Sequence, residues 1–433
     1  MRFVTHALAA AAMITLSATA AHAAEGQVPF GVPHLDHVFV VVMENHGYNQ
    51  ILNNPNAPFI NAYAKSANLA RNYFAVGHPS LTNYLEIVGG SNFGVQSDNA
   101  PDWHSTNCSP NIVAGTANTD NPASGRVCPI GGQGVDAATP AVDLSNEVQS
   151  APGENNLDGV ASVAALKNVL GITIGDQLVH AGLSWKSYQE NLPLTGADRV
   201  DYSDGFYTGT TDFSKITPQL TPALSTSDVV ALYAAKHNPF AYFQSVQEGL
   251  EPHNSLRNMV GFDGQGGLFA DLQSGQVPAL SFIAPNQCND QHGRGNAGAF
   301  CNYDPSDDGS QAGLNPALIY RGDVTVQRLV TSIKASPVWH EGRNAIVVVW
   351  DENDYSTAPN VNQVVTIVDT NYGVKRTASD VRYTHFSLLK SLESGFHLPC
   401  LNHACDANVA VMSDLFATGH GRRHGRLDAD DAQ

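Results

Sequence analysis

Three stretches of the chain are apolar without a break and then stop abruptly at polar side chains. Residues 38–43 (VFVVVM) run into Glu44 and Asn45, residues 279–284 (ALSFIA) run into PNQCNDQHG, and residues 345–350 (AIVVVW) run into DENDY. Short continuous runs rich in β-branched and aromatic residues predict strands buried on both faces, which is the habit of parallel sheets. Residues 363–369 (QVVTIVD) predict a fourth strand. Between these runs the apolar spacing changes to that of a helix. Residues 322–336 place Val326, Leu329, Val330 and Ile333 on one face, with Asp323 as the expected N-cap. Residues 81–88 (LTNYLEIV) and 386–393 (FSLLKSLE) read the same way. Alternating strands and helices predict an α/β fold with a mostly parallel sheet. In such sheets ligands sit beyond the carboxyl ends of the strands. Glu44, Asn45, Asp351 and Glu352, with Asp290 and His292, are therefore expected to meet at one rim.

The rest of the chain frames this core. Residues 1–23 carry an early Arg2, an apolar stretch and Ala21-His22-Ala23, the pattern of a secretory signal peptide cut after Ala23. No other stretch is apolar for the about 18 residues a membrane span needs. The expectation is an exported protein, periplasmic or secreted. Residues 24–417 are expected to form the folded domain. Within it, residues 91–160 are rich in Asn, Ser, Gly, Asp and Pro and read as a loop-rich insertion. Residues 418–433 read as a polar tail, expected to be disordered. The chain has six cysteines, and in an exported protein their close spacing predicts Cys108–Cys128, Cys288–Cys301 and Cys400–Cys405 disulfides.

Composition narrows the function. The chain is 42% hydrophobic and only 14% charged, which predicts a globular fold rather than disorder. A net charge of −18 argues against nucleic acid or an anionic membrane as a standing partner. A small anionic substrate stays open, because a bound cation reverses the local field.

Glu44, Asn45, Asp351 and Glu352 form an oxygen-rich, acidic donor set that suits a hard divalent cation, with Ca, Mg or Mn favoured over Zn. Ser80, in GHPSLTNYL, stands at the predicted start of a helix, where free N–H groups favour an anion. The competing reading is that Ser80 is an ordinary N-cap. His292 and His385, and His78 beside the serine, are candidate general acids. There is no G-x-S-x-G elbow and no P-loop pattern.

Taken together, VVVMENHGY, GHPSLTNYLEIVGG, WKSYQENLP, HNPFAYF, LSFIAPNQCNDQHG, VVVWDENDY and YTHFSLLKSLE resemble the phosphoesterase family of bacterial acid phosphatases and phosphatidylcholine-type phospholipases C, within the alkaline-phosphatase-like superfamily. The resemblance implies a three-layer α/β/α sandwich. It implies that Glu44, Asn45, Asp351 and Glu352 are metal ligands, that Ser80 is the nucleophile, and that Asn83, with Asn45 and Asp290, contacts the substrate. Asp290, His292 and His385 match positions that hold a second ion in two-metal relatives and serve the leaving group elsewhere. Thr82 stands where Pro is common, and Gly293 follows His292 where an acidic residue is frequent. The activity implied is acid phosphatase chemistry through a phosphoserine. The alternatives are a phospholipase C, with Trp103, Trp185, Phe206 and Tyr207 as an apolar mouth, and a non-catalytic phosphate-binding protein. PSLTNY lacks the x-Pro-x-Arg context of a sulfatase nucleophile. The substrate is expected to be a small phosphate ester or a phospholipid.

Overall fold

The computed structural model describes residues 25–93, 98, 171–192, 233–293, 316–353 and 362–418. The expected signal peptide, most of 91–160 and all but the first residue of the tail lie outside them. In chain order the elements are β1 His37–Met43, α1 Tyr48–Ile51, α2 Pro58–Ser66, β2 Asn68–Ala70, β3 Tyr73–Phe74, α3 Ser80–Gly89, α4 Ile174–His180 and β4 Trp185–Gln189. They continue with α5 Gln244–Glu248, β5 Met259–Val260, α6 Leu268–Ser274, β6 Leu280–Ala284, α7 Pro316–Ala335, β7 Asn344–Trp350, β8 Thr366–Thr370, β9 Ala378–Ser379, β10 Tyr383–Thr384 and α8 His385–Phe396.

The main sheet has eight strands in the order β5-β4-β6-β1-β7-β8-β2-β9, and β10 pairs with β3 apart from it. The contiguous centre from β5 to β7 is parallel, while β8 is antiparallel to β7 and β2. The three apolar runs of the sequence are its neighbouring central strands β6, β1 and β7, buried along almost their whole length. Helices α3, α4 and α8 pack together, and α2, α6 and α7 form a second group. The result is the expected α/β architecture of a mostly parallel sheet covered by helices.

Strand register places the chemistry. Met43 pairs with Trp350, so β1 and β7 end level and Glu44 and Asp351 emerge side by side. The Asp351 N–H donates to the Met43 carbonyl at 3.0 Å, and the Glu44 N–H donates to the Asp290 carbonyl at 2.8 Å. The third strand end is thereby tied to the first.

Three local expectations change. The fourth strand starts later, at Thr366, because Gln363 and Val364 bond instead to Tyr48 and Tyr73. Helix α7 begins at Pro316, well before Asp323. Asp323 therefore caps a different helix: its carboxylate accepts the N–H groups of Phe59 and Ile60, at 3.1 and 2.7 Å, in the first turn of α2. Helix α2 has Ala57 at its N-cap, with no side-chain acceptor of its own. Trp185 is core rather than mouth, since its ring stacks on Phe240 at 4.2 Å and its indole N–H donates to Asn254. Trp103, Phe206 and Tyr207 lie outside the described residues.

The Cys400–Cys405 disulfide is present. Cys288 is buried and disulfide-bonded, while Cys108, Cys128 and Cys301 lie outside the described residues. Among the described residues, no helix is long and apolar enough to cross a membrane.

Candidate active site

Ser80 is the first residue of α3, and Pro79 occupies the N-cap without any side-chain cap bond. The reading of Ser80 as an ordinary cap is thus replaced. Its hydroxyl points away from its own helix, 3.2 Å from Glu44 Oε2 and 3.1 Å from Glu352 Oε1. One buried hydroxyl lies between carboxylates from the ends of β1 and β7. The Thr82 hydroxyl donates to the Pro79 carbonyl at 2.8 Å.

Asn83, one turn into α3, holds the loop before the serine. Its Oδ1 accepts from the N–H groups of Val76 and Gly77, both at 3.0 Å. Its amide donates to the Gly77 carbonyl at 2.9 Å and to Glu352 Oε2 at 3.1 Å. His78 Nδ1 stands 2.7 Å from the same Glu352 oxygen. Asn45 follows Glu44 in a left-handed conformation, φ 65°, which Asn tolerates better than most residues. Its N–H donates to Asp351 Oδ1 at 3.2 Å.

Residues 50–301 match the description "Phosphoesterase family". This chain belongs to the phosphoesterase family. It is a phosphoric ester hydrolase. A phosphatidylinositol-3-phosphatase of Mycobacterium tuberculosis is 25% identical over 90% of this chain and 86% of that protein. An acid phosphatase of Aspergillus fumigatus is 22% identical over 86% of this chain. The chain spans only 57% of the length of that fungal relative. A solved structure of an alkaline phosphatase superfamily protein from Vibrio parahaemolyticus aligns with TM-score 0.42 at 9% identity, over 86% of this chain and 69% of that one.

Around Ser80 the phosphoesterase buries four carboxyl groups: Glu44, Asp290, Asp351 and Glu352. Burial pushes the carboxyls of Asp290 and Asp351 well up, and the charge of Glu44 adds to this for both. Burial also raises Glu352, against the opposing charge of His78. Burial alone would raise Glu44 too, but His237, with His292 and Lys236, outweighs it and holds Glu44 below the ordinary carboxylate range.

This donor set suits a hard cation in its chemistry. The Oδ1 of Asn45 and the Oδ2 of Asp351 are buried acceptors without a conventional donor. Among the described residues, no group of three or more His, Cys, Asp or Glu side chains is placed to hold a metal ion. The carboxyls stand against histidines: His78 at Glu352, and His237 at Glu44 and Asp290.

The expected histidines are all near the site, in different roles. His292 keeps Nδ1 on the Gly293 carbonyl at 2.9 Å, so its Nε2 is the acceptor facing Lys236 at 3.4 Å. Burial, and then the Lys236 charge, lower its pKa to about 4. The Asp290 carboxylate accepts the His292 N–H at 2.7 Å. His385 lies behind the site, its Nε2 donating to the Asp351 carbonyl at 2.6 Å and its Nδ1 accepting from the Tyr73 hydroxyl at 3.0 Å. Burial lowers its pKa to about 4.

The site also holds residues not singled out from the sequence. His237 bridges two carboxylates, with Nε2 3.0 Å from Glu44 Oε1 and Nδ1 3.4 Å from Asp290 Oδ2. Its ring stacks on Tyr84 of α3 at 5.2 Å. Lys236 pairs with Asp98 at 2.8 Å. His237 lies in HNPFAYF, a stretch with no helical or strand period because it forms short 3₁₀ turns. A Lys-His pair directly before Asn-Pro was the available signal.

Proposed function

We propose that this phosphoesterase is an exported, metal-dependent phosphatase that cleaves phosphomonoesters through a phosphoserine at Ser80. The observation that carries the reading is the Ser80 hydroxyl held within 3.2 Å of carboxylates from two strand ends. Support for a monoester comes from the relatives, which are named as phosphatases: a phosphatidylinositol-3-phosphatase and acid phosphatases. Export rests on the signal-peptide pattern of residues 1–23.

Glu44, Asn45, Asp351 and Glu352 would hold the cation. When bound, a hard divalent ion supplies Lewis acidity for phosphoryl transfer and lowers the pKa of a nearby hydroxyl. Ser80 supplies the attacking oxygen, and the bond it forms to phosphorus replaces the bond to the departing alkoxide. The Ser80 proton has Glu352 Oε1 as its acceptor, and His78 stands at the other oxygen of that carboxylate. The ring N–H groups of His292 and His385 are engaged by backbone carbonyls. That leaves the His78–Glu352 pair, which touches Ser80, to carry the proton toward the alkoxide. His385 is a positioning residue for Asp351. Asn83 orients Glu352 and the loop that carries Ser80. Water then hydrolyses the phosphoserine, releasing inorganic phosphate and restoring the hydroxyl.

The test is a side-by-side assay of a phosphomonoester and a choline phospholipid, with wild type, Ser80→Ala and chelator-dialysed protein. The expected result is monoester turnover that Ser80→Ala abolishes and that a divalent cation restores after dialysis. Preferential release of phosphocholine would make the protein a phospholipase C. Phosphate binding without alcohol release would make it a binding protein.

A further inference from the structure

We infer that Lys236 reads the non-bridging oxygens of the substrate phosphate and that Asp98 is a built-in competitor for the same place, so that this pair sets a preference for dianionic phosphomonoesters over phosphodiesters. The inference rests on the reading of Ser80 as the phosphoryl acceptor and adds the residue that selects the substrate class.

The geometry is that of an anion already in place. One oxygen of Asp98 accepts the backbone N–H of Leu81 at 3.1 Å, in the first turn of α3 and directly after Ser80. The other oxygen is 2.8 Å from Lys236 Nζ. A single carboxylate thus joins the start of the serine helix to an ammonium group. Two oxygens of a phosphate can make the same two contacts, and the helix start favours any anion there. Both side chains are buried. Lysine is almost never buried without a partner, and Asp98 gives Lys236 one that is chemically exchangeable for substrate. His292 Nε2, 3.4 Å from the ammonium, directs it further.

Glu44, Asp290, Asp351 and Glu352 crowd the same site, and the Lys236 ammonium is a fixed cation beside them. A phosphomonoester carries one more negative charge than a diester near neutral pH. Seated where Asp98 now stands, it therefore gains more from Lys236. Asp98 also explains how the ammonium stays buried while no substrate is bound.

The experiment compares wild type, Asp98→Asn, Lys236→Met and the double variant. Inorganic phosphate binding is measured by titration calorimetry in a Ser80→Ala background. Turnover of matched aryl phosphomonoesters and diesters is measured with Ser80 intact. Asp98→Asn keeps an acceptor for the Leu81 N–H and removes the charge. It should bind phosphate about tenfold more tightly, roughly the effect of 1.4 kcal/mol, with a lower KM for the monoester. Lys236→Met should lower kcat/KM for the monoester at least tenfold more than for the diester. The double variant, in which no buried charge is left unpaired, should remain weak for phosphate, whereas a merely structural ion pair would return it to wild-type affinity. Unchanged phosphate affinity in Asp98→Asn, or equal losses on both esters in Lys236→Met, overturns the inference. A Ser80→Ala enzyme that still turns over overturns the parent reading instead, and the phosphate titrations remain decisive for Lys236 and Asp98.

Discussion

Replacing Asn83 with alanine separates two roles that a buried amide beside a nucleophile can have. The sequence resemblance assigns Asn83 to the phosphate. The structure commits its side chain to the protein: two backbone donors at 3.0 Å, the Gly77 carbonyl at 2.9 Å and Glu352 at 3.1 Å. The site is fully buried, so Asn83→Ala strands the N–H groups of Val76 and Gly77. At about 1–3 kcal/mol for each orphaned buried donor, the loss is about 2–6 kcal/mol. Water entering the vacated space draws this toward the lower half, about 2–4 kcal/mol. That is a large part of a typical domain's stability of about 5–15 kcal/mol. Equilibrium urea unfolding gives the number directly, and phosphomonoester kinetics on the same samples show the effect on the site. The expected outcome is a lower urea midpoint together with a fall in kcat, because Glu352 and the serine loop lose their anchor. A variant with an unchanged midpoint and only a raised KM would show that Asn83 serves the phosphate alone, and would refute the scaffold argument.

Two further changes test the framework away from the chemistry. Asp323→Ala removes the acceptor for the Phe59 and Ile60 N–H groups and should cost about 1–3 kcal/mol in unfolding free energy. Asp323→Asn, which keeps one acceptor, should cost less, and equal losses for both would show that charge rather than capping matters. Glu393 accepts the Leu401 N–H at 2.8 Å, and burial raises its carboxyl well above the ordinary value. Its stabilising contribution is then complete below its unfolded pKa of about 4.3 and is lost as pH rises through the higher folded value. Glu393→Gln should therefore gain stability relative to wild type as pH rises above about 4 in thermal unfolding. A difference that does not change with pH would contradict the burial of a protonatable group there.

Much of this arrangement could be read in advance. The runs at 38–43, 279–284 and 345–350 are uninterrupted because β1, β6 and β7 are covered on both faces. Their polar ends meet because parallel neighbours finish together, as the Met43–Trp350 pairing shows. Ser80 was legible from the helical period that follows it, but its hydroxyl's direction was not, since that depends on carboxylates distant in sequence. Asp323 misled for a physical reason. It precedes an apolar period as an N-cap would, yet Pro316 starts the helix earlier and the carboxylate serves a neighbouring element. Lys236, His237 and Asp98 escaped notice because they sit outside any period. The first two lie in 3₁₀ turns and the third in a stretch without regular spacing. Only tertiary contact gives them their chemistry.

The central claim is that Ser80, clamped between Glu44 and Glu352, becomes covalently phosphorylated. Acid quenching during phosphomonoester turnover, followed by mass spectrometry of the peptide containing residue 80, tests it most directly. The account predicts one phosphoryl group on Ser80, absent in Ser80→Ala and lost when turnover is allowed to finish. Rapid turnover with Ser80 never modified, or phosphate found on a different side chain, would contradict it.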